Sequence, residues 1–212
     1  MVPVALTFDD GTLHQYHIAK ILYRYKIRGT FFCVTHLDRH PDTGKQLIAT
    51  DPRKLWELYL MGHEIASHTC THPDLRHLSP MKLREELYLS KEKLESIIGD
   101  KVFGFAYPYS LYNAIVIEEV KKEYIYARAG PLSEDPFNLY TRDNYRISSI
   151  GVKKAMTLPL RFVYKNLNNA PIVVMMHDIS ISVLLTFIHY LKATLNPRFV
   201  IMKEISNLIA KR

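Results

Sequence analysis

The 212-residue chain has only two cysteines, Cys33 and Cys70, and it has no long hydrophobic run. Two cysteines cannot build a disulfide framework or a four-cysteine zinc site. A membrane-spanning helix needs about 18 to 20 apolar residues in succession, and no such segment is present. The N-terminus also lacks the basic start and apolar stretch of a secretory signal, so we expect a cytoplasmic protein.

Low-complexity segments and repeats of fixed period are also missing. The length and a hydrophobic fraction of 48% favour one domain with a sizeable core, and we expect it to span residues 1–212. The net charge of +7 could suit nucleic acid or an anionic glycan. Because the basic residues are dispersed and no nucleic-acid module pattern is found, a solvated basic surface is the preferred interpretation. The oligomeric state cannot be read from these features.

Strand-like and helix-like patterns alternate along the chain, which favours parallel βαβ units. Asp51-Pro52 and Ser79-Pro80 predict capped helix starts, and the two helices are expected to end at Gly62 and Gly99. We predict an α/β fold, a distorted and incomplete (β/α) barrel of about seven strands. The predicted strands are Val4–Phe8, Thr30–Thr35, Glu64–Ser67, Gly104–Tyr107, Tyr124–Arg128, Tyr145–Ile150, Ile172–Met176 and Phe199–Met202.

Four clusters of polar or aromatic residues each follow a predicted strand. In α/β barrels the loops at the carboxyl ends of the strands build the active site, so the clusters are expected to converge on one mouth. The clusters are Asp9-Asp10-Gly11, the segment from His68 to His72, Tyr107-Pro108-Tyr109, and His177-Asp178.

Asp9 and Asp10 are neighbouring carboxylates that leave the first strand in different directions. One can therefore bind a metal while the other accepts a proton. The alternative is an ordinary Asp-Gly turn or a helix cap.

His68 and His72 stand at positions i and i+4, which on a helical turn would place both imidazoles on one face. With Asp10 they would form a three-ligand metal site with open positions, as a catalytic metal requires. Cys70 lies between them and is expected to point to the other side. The alternative is that the two histidines are ordinary surface residues that bind no metal.

His177 follows the most apolar predicted strand. Imidazole titrates near neutral pH, so His177 is a candidate general acid, and the alternative is a hydrogen-bonded core histidine. The other histidines are interpreted as surface or packing residues. They are His14, His17, His36, His40, His63, His77 and His189.

The chain resembles the polysaccharide deacetylase family, also called the NodB homology domain or carbohydrate esterase family 4. The resemblance rests on four motifs in the family's order, within about residues 3–205. They are Thr7-Phe8-Asp9-Asp10-Gly11, the run from Gly62 to His72, Phe105-Ala106-Tyr107-Pro108-Tyr109, and Met175-Met176-His177-Asp178.

The resemblance implies that Asp9 is the general base and His177 the general acid. It implies Asp10, His68 and His72 as ligands of one divalent ion, usually zinc, with cobalt or nickel as alternatives. The backbone amide of Tyr109 would help to bind the oxyanion. The implied reaction is hydrolytic removal of acetyl groups from an N-acetylated carbohydrate.

The sequence departs from the family at Ala106, where many members carry an arginine that pairs with the catalytic aspartate. A tryptophan-bearing aspartate motif is also missing, and Met175 replaces a leucine. We expect Arg146 to support Asp9 instead, with Arg142 and Arg128 as alternatives.

Two other functions stay open at this point. One is a metal-dependent amidohydrolase that acts on a small non-sugar amide or a cyclic ureide. The other is a catalytically idle carbohydrate-binding domain that holds a metal. Retention of both Asp9 and His177 speaks against idleness, because metal binding alone requires neither.

Overall fold

A computed structural model describes residues 1–130, 143–160 and 170–211. Its strands form one curled, open, parallel sheet, an incomplete barrel. Eight strands lie within the described residues, in agreement with the expected incomplete barrel of about seven strands. They are β1 Val2–Phe8, β2 Thr30–Cys33, β3 Glu64–Ser67, β4 Gly104–Ala106, β5 Tyr126–Arg128, β6 Ile150–Gly151, β7 Ile172–Met176 and β8 Pro197–Val200.

Helices follow most of the strands. They are α1 Leu13–Arg24, α2 Pro52–Leu60, α3 Pro80–Ile98, α4 Ala114–Glu123, α5 Val152–Thr157, α6 Ile181–Leu195 and α7 Met202–Ala210. The predicted starts of α2 and α3 are confirmed: the side chains of Asp51 and Ser79 accept backbone N–H groups of the first turn. Gly99 ends α3 with a φ of 70°, a left-handed conformation that glycine adopts without steric cost.

The strand order is β5-β4-β3-β2-β1-β7-β6, and β8 pairs with Val2–Ala5 of β1. β1 therefore lies at the centre of the sheet, which explains why it is apolar almost throughout. All the ladders between strands are parallel. Because parallel strands point the same way, the loops that follow them open at one edge of the sheet.

The residues of β1 alternate between two apolar clusters. Val4, Leu6 and Phe8 pack in the larger cluster, with the helices from α1 to α6. Ala5 packs in the smaller cluster on the opposite face of the strands, which α7 covers. Within the part of the chain that the structure describes, no helix combines the length and apolar character needed to cross a bilayer.

Candidate active site

The turn after β1 carries Asp9 and Asp10. The amide of Asp9 continues the pairing with β7 by donating to the carbonyl oxygen of Met176 (2.9 Å). Asp10 and Gly11 then adopt positive φ angles of 79° and 69°. A Cβ atom on Gly11 would lie 2.9 Å from the Sγ of Cys33, so this turn needs glycine both for its conformation and for space. The turn sends the two carboxylates in different directions.

Asp9 is buried, and its Oδ2 accepts a hydrogen bond from the Nη2 of Arg128. Arg128 ends β5 and is itself fully buried, with Nη1 3.3 Å from the Oγ of Ser149 and the guanidinium over the ring of Phe32. The Oδ1 of Asp9 has no hydrogen-bond partner among the described residues. One carboxylate oxygen is thus fixed by a cation while the other is free.

The expectation that Arg146 supports Asp9 is wrong. The Nε of Arg146 donates to the Oδ2 of Asp143 (2.7 Å), and its side chain is 49% exposed. Arg128, the alternative at the end of the preceding strand, occupies the position instead, because it lies inside the sheet and not on a surface loop. Arg142, the other alternative, lies outside the described residues.

His68 and His72 are both buried, and the Nε2 atom of each lies 3.8 Å from the Oδ1 of Asp10. They do not belong to a helical turn, so that part of the sequence interpretation is wrong. Thr69 and His72 have positive φ angles of 71° and 58°, and the amide of His72 donates to the Oγ1 of Thr69 (2.9 Å). A folded-back loop, and not helical periodicity, brings the two imidazoles together.

Burial controls the ionisation of these groups. In the metal-free protein it lowers the pKa of His68 and of His72 to about 3, so both imidazoles are neutral at pH 7. Burial also raises the pKa of Asp10, an effect that His177 and His40 oppose. Neutral imidazoles and a carboxylate are the donors that zinc and similar divalent ions bind.

His177 follows β7 and has an exposed side chain, whereas Tyr109 belongs to the short 3₁₀ turn after β4. Tyr109 has a φ of 55°, and its hydroxyl donates to the Oδ2 of Asp42 (2.7 Å). Among the described residues, nothing accepts the backbone N–H of Tyr109. This amide is therefore available to a bound molecule.

A cavity of about 340 Å³ connects these groups. Every residue expected at the site from the motifs lines it, so the structure brings together side chains from the loops after β1, β3, β4 and β7. They are Asp9, Asp10, His68, His72, Tyr109 and His177.

His40 and Asp42 also line this cavity, and sequence reasoning missed them. His40 was interpreted as a surface or packing residue, but it is buried with its Nε2 3.3 Å from the Oδ1 of Asp10. A signal was present: the segment follows β2, and loops after parallel strands share one edge of the sheet.

The sequence profile described as "Polysaccharide deacetylase" matches residues 2–126, more than half of the chain. The chain belongs to the polysaccharide deacetylase family. It is 29% identical over 96 residues to a chitooligosaccharide deacetylase of Bradyrhizobium sp. (strain ANU 289), a match that covers 44% of this chain and 39% of that protein. It is 25% identical over 123 residues to the peptidoglycan-N-acetylmuramic acid deacetylase PdaA of Bacillus subtilis, covering 56% and 43% of the two chains. The chain thus spans less than half the length of these relatives.

Solved structures of the family share the fold. The Xyl-CE4 domain of a multidomain xylanase from the hindgut metagenome of Trinervitermes trinervoides has a TM-score of 0.69 at 21% identity, covering 98% of this chain and 90% of that one. A CE4 family pseudoenzyme from Bacillus anthracis has a TM-score of 0.64 at 18% identity, with 96% and 64% covered. Since one of these relatives is a pseudoenzyme, the fold alone does not establish activity.

Proposed function

We propose that this polysaccharide deacetylase family member is a metal-dependent hydrolase that removes N-acetyl groups from a sugar, an oligosaccharide or a polysaccharide. One observation carries the proposal. Two neutral imidazoles converge on the carboxylate of Asp10, and a second carboxylate, Asp9, lies beside them with one free oxygen. A site that only held a metal would not need Asp9 to be fixed by a buried arginine.

The ligands that we assign to a divalent ion are Asp10, His68 and His72, with zinc preferred and cobalt or nickel as alternatives. Among the described residues, the donor atoms that already lie within 4.8 Å of one another are those of Asp10, His40 and His72. The Nδ1 of His68 is 2.8 Å from the carbonyl oxygen of Ala106 and must donate to it, so the Nε2 lone pair is available. Metal–ligand bonds of about 2.0–2.2 Å place tetrahedral ligands roughly 3.4 Å apart. The Nε2–Oδ1 separations of 3.8 Å are close to that value.

The other groups have separate roles in amide hydrolysis. A bound divalent ion would polarise the amide carbonyl and lower the pKa of water from about 15.7 towards 7. Asp9 accepts the proton of the attacking water on its free Oδ1, and His177 delivers a proton to the departing amine. The N–H of Tyr109 donates to the oxyanion.

Acetate release from N-acetylated chito-oligosaccharides tests the reaction, with zinc, cobalt and nickel added in turn to metal-depleted protein. We expect about one ion per chain and metal-dependent release of acetate. His68→Ala should lose both the metal and turnover, whereas Asp9→Asn should keep the metal and lose turnover. Equal metal content in the wild type and in His68→Ala would exclude the ligand assignment.

Small non-sugar amides and cyclic ureides belong in the same screen, because a cavity of about 340 Å³ is small for a ligand site and admits them too. Their hydrolysis without acetate release from sugars would identify the amidohydrolase alternative. Metal binding with no turnover on any substrate would identify the idle carbohydrate-binding alternative. The cytoplasmic location and the extent of the domain beyond residue 126 stay predictions.

A further inference from the structure

His40 contributes a third imidazole to the site. It lies in the loop after β2, is 4% exposed, and has its ring centroid 4.5 Å from that of His72. Among the described residues, Asp10, His40 and His72 have donor atoms that all lie within 4.8 Å of one another, and His68 is outside this group. If His40, His68, His72 and Asp10 all bound one tetrahedral ion, no open position would be left for water, and closed sites are typical of structural zinc. Whether His40 is a ligand therefore decides whether the metal site is closed or keeps an open position for water.

The hydrogen bond at the other nitrogen of His40 distinguishes these roles. The backbone N–H of Asp42 donates to the Nδ1 of His40 (3.2 Å). A backbone N–H can only donate, so Nδ1 carries the lone pair and the neutral ring carries its hydrogen on Nε2. The Nε2 that faces Asp10 is thus a donor, not a metal-binding lone pair.

His68 has the opposite arrangement. The Nδ1 of His68 faces the carbonyl oxygen of Ala106, an acceptor, so the hydrogen lies on Nδ1 and Nε2 is free to bind a metal. The Nδ1 of His72 lies 3.7 Å from the carboxylate of Asp42, beyond hydrogen-bond distance, and this negative charge favours a hydrogen on that nitrogen. Asp42 therefore forms a hydrogen bond to His40 through its N–H and only an electrostatic contact with His72 through its carboxylate.

We propose that His40 is a positioning residue that presents its Nε2–H to Asp10 and stays outside the metal-ligand set. The Nε2 of His40 completes no hydrogen bond with any described residue, so its hydrogen is available to the carboxylate 3.3 Å away or to an oxygen of a bound molecule. The ion then has three protein ligands and keeps an open position for chemistry. The inference rests on the proposed metal site.

Long-range ¹H–¹⁵N correlation spectra of the wild-type protein test the tautomer directly, without activity. We expect His40 to carry its hydrogen on Nε2 both in the metal-free and in the zinc-loaded protein, while the Nε2 signals of His68 and His72 shift on loading. A hydrogen on Nδ1 of His40, or a zinc-induced shift of its Nε2, would overturn the proposal. If the wild type bound no metal, the proposed function would fail, and the tautomer in the metal-free protein would still decide the state of His40.

Cobalt substitution gives a second measurement. In His40→Gln the visible absorption bands of bound cobalt should keep their positions, and affinity should fall by roughly 10- to 100-fold, as for other residues that orient ligands. His68→Gln should change or abolish the bands. His36→Gln, which removes an exposed histidine from the same loop, should alter neither bands nor affinity. A His40→Gln spectrum that changes as the His68→Gln spectrum does would identify His40 as a ligand.

Discussion

A single buried ion pair organises the proposed proton acceptor. Arg128 and Asp9 are both almost fully buried, and the pair joins β5 to the turn after β1, far apart in sequence. Removal of one partner from a buried ion pair leaves an uncompensated charge and lowers the stability of the folded protein by about 3–5 kcal/mol. Ala106 has no charge to offer Asp9, and the structure places an arginine from the next strand along the chain beside that carboxylate.

Arg128→Lys tests this replacement. Lysine keeps the charge but loses the planar guanidinium that holds Asp9 and Ser149 together, so we expect kcat to fall by at least tenfold with unchanged metal content. Kinetics, elemental analysis and thermal unfolding of the same preparations give the result. Arg146→Lys is the matched control, because Arg146 is exposed and pairs with Asp143. Loss of turnover in the control and not in Arg128→Lys would reverse the assignment.

His177→Ala separates proton donation from other roles of that side chain. The amine of an amide leaves only after protonation, so we expect amide hydrolysis to slow by roughly 10²–10⁴-fold. An activated ester has a leaving group that departs unprotonated and should be affected much less. The measurement is kcat/KM for both substrates with the same metal loading. Equal losses on amide and ester would mean that His177 does not protonate the leaving group.

At the scale of elements, the loop geometry after β1 and after β3 holds the proposed metal donors. Asp10, Gly11, Thr69 and His72 all have positive φ angles, which most residues adopt at a cost of about 1–2 kcal/mol. Such conformations persist only where the surrounding structure enforces them, and they cluster at functional sites. The donors are thus positioned by strained loops attached to buried strands.

Gly11→Ala tests the turn after β1. Alanine would meet both a positive φ and the side chain of Cys33, so we expect a loss of stability above about 2 kcal/mol and weaker metal binding. Gly99→Ala is the matched control: Gly99 has nearly the same φ of 70°, but a Cβ there meets nothing within 4 Å. Gly99→Ala should lower the free energy of unfolding by about 1 kcal/mol and leave the metal affinity unchanged. Equal effects in denaturant unfolding would show that the contact with Cys33 is unimportant.

At the scale of the whole molecule, buried histidines link folding to pH. His63 accepts the N–H of Gly29 on Nδ1 (3.1 Å) and lies 3.0 Å from the carbonyl oxygen of Ala19 through Nε2. Burial lowers the pKa of His63 to about 4 from an ordinary value of 6.5. Between these values the unfolded chain binds a proton that the folded protein does not, so stability falls as pH is lowered through this window.

His63→Gln should reduce that pH dependence, because glutamine can form both hydrogen bonds and does not titrate. Between pH 6.5 and pH 4, we expect the free energy of unfolding to fall by roughly 3 kcal/mol more in the wild type than in the variant. Urea unfolding of both metal-free proteins across this pH range gives the difference between their free energies of unfolding. The contributions of the other histidines cancel in this difference. Parallel curves for the two proteins would contradict the assignment to His63.

The sequence by itself determined the parallel α/β architecture and the six motif residues that line the mouth of the sheet. Both follow from local physics: apolar strands alternate with capped helices, and parallel strands of one sheet end at a common edge. The alternation of strand and helix patterns and the polar or aromatic residues directly after Phe8, Ser67, Ala106 and Met176 were therefore sufficient. Strand bounds differ from the prediction: β6 is only Ile150–Gly151, where Tyr145–Ile150 was expected.

The tertiary structure alone decided which arginine meets Asp9, how His68 and His72 converge, and that His40 joins them. Arg128 and Arg146 are equivalent in the sequence, because both lie within predicted strands. Only the tertiary structure buries one beside Asp9 and leaves the other half exposed. His40 carries no local periodicity. Its position depends on a loop that folds back over the site, and on contacts between residues distant in sequence.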